Sequence, residues 1–98
     1  MLDFNNLNRQ ELASNGLYFD TQEEADMFAA VIRDELERRV GEAVYERAGK
    51  AAAEEFDNCI TDEEAVAWFD RYCPDREVIV MKVQEELFRE IMKYRRVI

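Results

Sequence analysis

FAAVIRDELERRVGEAV, residues 28–44, decides the fold. Phe28, Ile32, Leu36, Val40 and Val44 recur every four residues, and Ala25, Val31 and Ala43 widen the stripe. That spacing lines one face of a 3.6-residue helix, and the stretch has none of the alternation of a strand. Asp34, Glu35, Glu37, Arg38, Glu42 and Arg47 are its solvated counterpart. Gly41 interrupts the chemistry but not the period, and glycine inside a helix costs only about 1 kcal/mol relative to alanine. Upstream, Thr21-Gln22-Glu23-Glu24 reads as a capping box with Asp20, Glu23 and Glu24 at the positive end of the helix dipole. Gly49 supplies the stop. The prediction is one long helix, about residues 22–48 and roughly 40 Å long, with a bend at Gly41 left open.

Working outward, Asn8 with Glu11 resembles a second cap, and Gly16 can close the short helix it opens. Leu7, Leu12, Leu17 and Phe19 form an apolar cluster expected to tuck against the main helices. Lys50 to Asn58 is alanine-rich and reads as a short helix ending near Phe56. Thr61-Asp62-Glu63-Glu64 opens another helix bearing Ala65, Val66, Trp68, Phe69 and Tyr72, which Pro74 ends by pushing Cys73 out of helical geometry. Asp75 is placed to cap the last helix, about residues 76–95, whose apolar positions are Ile79, Val80, Val83, Leu87, Ile91 and Tyr94. Val78-Ile79-Val80-Met81 alone suits a strand, but no second β-rich run exists to pair with it. Two long amphipathic helices joined by short ones must bury their stripes on each other. The expected fold is all-α: a compact bundle, orthogonal or up-down, of four main helices plus a short N-terminal helix. Residues 1–98 are read as a single helical domain.

Composition agrees with a folded, helix-rich chain. Its 98 residues are 48% hydrophobic and 37% charged, with three glycines and one proline. Asp plus Glu number 23 against 13 Lys plus Arg, a formal charge of −10, so nucleic acids and anionic membrane surfaces are disfavoured partners. Residues 1–57 hold 14 acids and 6 bases, net −8, whereas residues 58–98 hold 9 and 7, net −2. Lys93 to Ile98 carries three bases, as suits a helix C-terminus. The first six residues lack the basic and apolar stretches of a signal peptide, and no apolar run approaches the roughly 18–20 residues of a membrane span. The expected compartment is the cytoplasm, with Cys59 and Cys73 reduced.

Sequence patterns for chemistry are missing. There is no histidine, which removes the usual neutral-pH base and any Ser-His or Cys-His pair. Two cysteines without histidine do not complete a tetrahedral zinc site. Ser14, the only serine, belongs with the turn at Asn15-Gly16, and the three glycines form no phosphate loop. Glu23-Glu24, Glu54-Glu55, Glu63-Glu64 and Glu85-Glu86 are read as solvated or capping carboxylates, since no inward Glu-x-x-His motif exists. Asp57 to Asp62 resembles a calcium loop only superficially: Asp62 stands where glycine is needed and Trp68 where glutamate is needed. Cys59 and Cys73 are expected as small buried hydrophobes rather than a redox pair. Trp68, Phe69 and Tyr72 are expected as core anchors, with an exposed aromatic patch as the alternative.

Glu37-Arg38-Arg39-Val40-Gly41, Glu54-Glu55-Phe56 and the run from Trp68 through Cys73-Pro74-Asp75 to Val80 resemble a family of small all-helical bacterial proteins catalogued as a domain of unknown function. The resemblance covers roughly residues 5–92. This chain departs from the pattern at the alanine-rich Lys50–Ala53 and at Cys73, where a polar residue is usual. The resemblance implies an all-helical fold and a bacterial source, and it implies no activity.

No catalytic, cofactor-binding or metal-ligating residue is therefore expected, and no enzyme. The leading reading of function is a non-enzymatic helical protein–protein interaction module with a protein partner or a homodimer, because the apolar positions of the long helix exceed what one protomer covers. The alternative is an acidic decoy, a nucleic-acid mimic that binds a basic protein, motivated by the net −8 of residues 1–57.

Overall fold

Most of the predicted helices carry a local signal at one end or both, and the computed structural model places the helices where those signals fall. It describes the backbone of residues 2–97 and the side chains of residues 2–93. Among these are five helices: α1 (Arg9–Ser14), α2 (Gln22–Ala48), α3 (Lys50–Asp57), α4 (Asp62–Tyr72) and α5 (Arg76–Val97). No strand is present among the described residues, and Val78–Met81 is helical. No helix among them is long and apolar enough to cross a membrane.

The caps form as amide acceptors. Asn8 Oδ1 accepts from Glu11 N–H at 2.8 Å, and the Thr21 and Thr61 hydroxyls accept from Glu24 and Glu64 N–H at 3.1 Å. The returning carboxylates reach further out than a box predicts: Glu11 accepts from Asp3 N–H at 2.9 Å and Glu64 from Ile60 N–H at 3.1 Å. Each ties the incoming chain to the helix it caps. Asp75 departs from its expected role. Its carbonyl accepts from Ile79 N–H at 3.3 Å, as an N-cap carbonyl does, but its carboxylate pairs with Arg47 of α2 at 3.1 Å instead of turning back to the amides.

α2 runs through Gly41 without a break. At its end Gly49 has φ of 89°, a left-handed conformation that side chains resist, which lets α2 stop and α3 start on one residue.

The molecule measures 45 × 24 × 17 Å, its length set by α2. Two apolar clusters form along that length. In the first, Ala25, Ala29 and Ile32 of α2 and Leu87 and Ile91 of α5 share a core with Leu12 of α1. Leu17, Phe19, Phe28 and Leu36 pack against it. The second gathers Val44, Ala52, Trp68 and Cys73, flanked by Val40, Phe69, Tyr72 and Ile79. α2 and α5 lie antiparallel and belong to both. Arg39 of α2 bonds Glu90 of α5 at 2.5 Å beside the first cluster.

Besides Asp75, the differences from the sequence reading are Leu2, Phe4 and Val31, together with Cys59, which is half-buried where a buried thiol is expected. Leu2 and Phe4, ahead of any helix, are buried in the first cluster together with Leu7. Val31, expected to widen the buried stripe, is 63% exposed, because it stands about 100° around the helix from Ile32. Tyr94, expected as the last apolar position of α5, lies outside the described side chains, as do the basic Arg95 and Arg96. The aromatic anchors behave as expected: Trp68 is buried, Phe69 and Tyr72 are half-buried, and Cys73 is fully buried.

Leu12 is fully buried, so Leu12→Ala is expected to lower unfolding free energy by about 2–5 kcal/mol in urea titration. A Cβ at Gly41 meets nothing within 4 Å, and φ there is not positive. Gly41→Ala should therefore raise stability by up to about 1 kcal/mol in the same assay.

Candidate interaction surface

Because α2 outruns the elements beside it, its stripe is covered at the two clusters and leaves two apolar grooves. The first, about 650 Å³, lies between α2, the C-terminal half of α5 and the connector from Gly16 to Phe19. Arg9 holds that connector in place, its guanidinium donating to the carbonyls of Phe19 at 2.9 Å and Asp20 at 3.1 Å. Phe19 and Phe28 meet with ring centroids 5.1 Å apart. The exposed Tyr18 and Val31 line the groove, and the exposed Met27 stands one helical turn before Val31.

One end of this groove is charged. Arg39 donates to Glu35 at 2.7 Å and to Glu90 at 2.5 Å, and Arg38 donates to Glu35 at 2.6 Å and to Glu42 at 2.6 Å. The hydrogen bonds from Arg38, and then Arg39, bring the Glu35 carboxyl down to about 2. Arg39 likewise holds Glu90 below its ordinary value. Both carboxylates stay ionised and paired at neutral pH, the opposite of a carboxyl kept protonated for acid catalysis.

The second groove, about 540 Å³, lies at the waist between the two clusters. Leu36, Val40 and Val44 of α2 form one wall, Val80 of α5 another, and Phe56, Trp68 and Phe69 the aromatic third. Those rings stack on one another at 4.9 Å (Phe56–Trp68), 5.6 Å (Phe56–Phe69) and 5.2 Å (Trp68–Phe69). Trp68 Nε1 donates to the Ala52 carbonyl at 2.8 Å, which satisfies its one polar atom and locks the indole between α3 and α4. Glu55 steadies the same pair of helices, accepting from the Tyr72 hydroxyl at 2.5 Å and from Arg71 at 3.4 Å. That bond to Glu55 pushes the Tyr72 hydroxyl up from its ordinary value.

The residues singled out from sequence fall as follows. Glu23, Glu24, Glu54, Glu55, Glu63, Glu64, Glu85 and Glu86 are all exposed, and Glu85 has only a 3.9 Å contact with Arg89. Among the described residues no three His, Cys, Asp or Glu side chains gather closely enough to hold a metal ion. Cys59 and Cys73 are free thiols at opposite ends of α4, both pushed up chiefly by burial, which works against thiolate reactivity. The exposed apolar residues beside the first groove were missed from sequence, although Met27 and Val31 at i and i+4 were a readable sign of a second apolar stripe.

The chain belongs to a family described as protein of unknown function (DUF5663), which matches residues 12–91. The match begins and ends on buried residues of the first cluster, Leu12 and Ile91, and contains the whole of the first groove. No curated protein and no solved structure matches the chain significantly.

Because Glu35 and Glu90 are lowered in the folded chain, the stability they contribute is present above the ordinary carboxyl value of 4.5. It is lost as pH falls through that value toward the Glu35 value of about 2. Arg39→Met should lower the melting temperature at pH 7 more than at pH 2, narrowing the gap between the two. By carboxyl NMR titration Glu90 should return to its ordinary value, and Glu35, still bonded by Arg38, should rise only partway. Ordinary Glu35 and Glu90 titration in the unmutated protein would rule out this ion network.

Proposed function

We propose that this chain is a non-enzymatic helical module for protein–protein contact, and that one of its contacts is with a second copy of itself. The observation that carries the reading is an apolar ridge beside an apolar groove on one face: Tyr18, Met27 and Val31 next to the hollow over Phe19, Phe28 and Ile32. Tyr18 is 80% exposed and Met27 65%, well beyond what an isolated surface residue needs for packing. A two-fold pairing inserts the ridge of each protomer into the groove of the other, the self-complementary arrangement that a closed dimer requires. The paired charges of Arg39, Glu35 and Glu90 then sit at the rim, where they fix register at little desolvation cost.

The absence of enzymatic chemistry is part of the same proposal. With no histidine, with Glu35 held down by Arg38 and Arg39, Glu90 held down by Arg39, and both thiols pushed up, the shifts that the environment makes all lead away from a group poised near neutrality. A bacterial cytoplasm, where the free thiols stay reduced, completes the reading. The acidic-decoy alternative has less support. A nucleic-acid mimic needs a face of acids free of bases, whereas Arg38 stands between Glu35 and Glu42, and Arg47, Arg71 and Arg76 pair with Asp75, Glu55 and Asp70.

Sedimentation equilibrium at micromolar concentration tests the self-contact. The expected mass is that of two chains, and Val31→Lys should weaken association at least about tenfold, or about 1.4 kcal/mol, with a melting curve that matches the parent's once both are diluted to monomers. A strict monomer, or a Val31→Lys protein that associates as tightly as the parent, ends the dimer reading.

A further inference from the structure

We propose that the groove at the waist is a docking site for a basic amphipathic helix of a partner protein. This rests on reading the chain as an interaction module, but not on its self-association.

The first argument is Gly41. A glycine in mid-helix is unfavourable, and here the fold gives nothing in return: its φ is not positive, and a Cβ would meet no atom within 4 Å. Its missing side chain matters only to something approaching from outside. Gly41 lines the waist groove on one side and, on the other, a shallower hollow with Glu42, Tyr45 and Glu46. It is thus a low saddle on α2 between two depressions, the place where a crossing helix gains the closest approach when no side chain stands in the way.

The second argument is the kind of surface on either side. The groove floor is aliphatic and aromatic, and the partly exposed Tyr45 and Phe56 reach its lip, so the occupant must bring apolar side chains. Charge supplies the third argument and fixes the occupant's sign. Glu37 and Asp57 border the groove, no Lys or Arg lines it, and neither carboxylate has an ion pair among the described residues. The first groove differs in this respect, since both of its carboxylates, Glu35 and Glu90, are ion-paired with Arg39 and only one negative charge is left over. Glu46, also without an ion pair among the described residues, adds another acid beyond the saddle. Apolar anchors with lysine or arginine on the flanks satisfy all three features together.

The test uses the full-length chain and two synthetic amphipathic peptides of one pattern, leucine–lysine and leucine–glutamate. Trp68, the only tryptophan, lines the groove and reports occupancy by its fluorescence. The leucine–lysine peptide should give a saturable change and the leucine–glutamate peptide none. Gly41→Leu should weaken the basic peptide at least about tenfold while the protein stays folded, and Gly41→Ala should weaken it by less although it stabilises the free chain. The double substitution Glu37→Gln with Asp57→Asn lies on exposed positions and decides the question without touching Gly41; it should weaken binding and reduce its dependence on salt. Val31→Lys should bind like the parent, so a monomer that still binds the peptide separates this site from the dimer. Equal binding of both peptides, Gly41→Leu or the double variant binding as tightly as the parent, or no saturable signal overturns the proposal. So does loss of self-association in Gly41→Leu, which assigns the groove to a second copy.

Discussion

The antiparallel contact between α2 and α5 is the constraint to which the rest of this structure answers. α2 presents apolar residues over 27 positions, and α5, the one other helix of comparable length among the described residues, meets it at both ends. Near the first end Ile32 shares a core with Leu87 and Ile91; near the other Val44 shares one with Trp68, and Ile79 packs against it. Burial is proportional to apolar area removed from water, so each short element settles where the two long helices leave the most uncovered. The N-terminal segment and α1 fill one end, and α3 with α4 the other. What they do not reach becomes the waist groove.

This division explains what was legible in the sequence. Helix identity and ends came from period and caps, signals confined to a few neighbouring residues: Thr21, Thr61 and Gly49 act through atoms at most four residues away. Leu2 and Phe4 gave no such signal. They lie outside any helix, so no period marks them; tertiary contacts place them in the core beside Leu12, among them the Asp3 amide's bond to Glu11 and the bond from Arg33 to the Leu7 carbonyl. Asp75 was misread for a related reason. A helix-start aspartate has two competing partners, its own amides or a distant cation, and the approach of Arg47 from α2 is a tertiary fact.

The candidate surface was less legible than the fold. A single stripe of apolar residues on a helix wheel says that the stripe is buried, not how far round it extends, and Val31 fell on the wrong side of that edge. An excess of apolar positions over available cover was readable. Which residues remain uncovered depends on where α1 and the Gly16–Phe19 connector lie, and Arg9 bonding two carbonyls of that connector sets this from ten or more residues away. Gly41 was readable as a defect in the stripe; only the empty space around its Cβ shows that no neighbour within the chain accounts for it.

The two grooves also divide the chain's charge, which links its acidity to its architecture. Most of the arginines whose side chains are described are engaged internally: Arg9 and Arg33 bond backbone carbonyls, and Arg38, Arg39, Arg47, Arg71 and Arg76 bond carboxylates. Each of those pairs cancels a positive charge against a negative one; Arg38 does so within α2, whereas Arg39, Arg47, Arg71 and Arg76 also tie different elements together. With 23 acids against 13 bases, the remainder must be negative wherever no arginine reaches. Arg39 reaches the first groove, so its lining keeps one net negative charge where the waist keeps two, and it repels a copy carrying the same −10 less. No arginine or lysine lines the waist, so Glu37 and Asp57 there face outward beside exposed aromatic and aliphatic groups. A second copy approaching the waist would bring like charge to it, whereas a cationic helix would gain from the same field that repels the copy. The placement of a few arginines thus gives two apolar surfaces of similar size different partners.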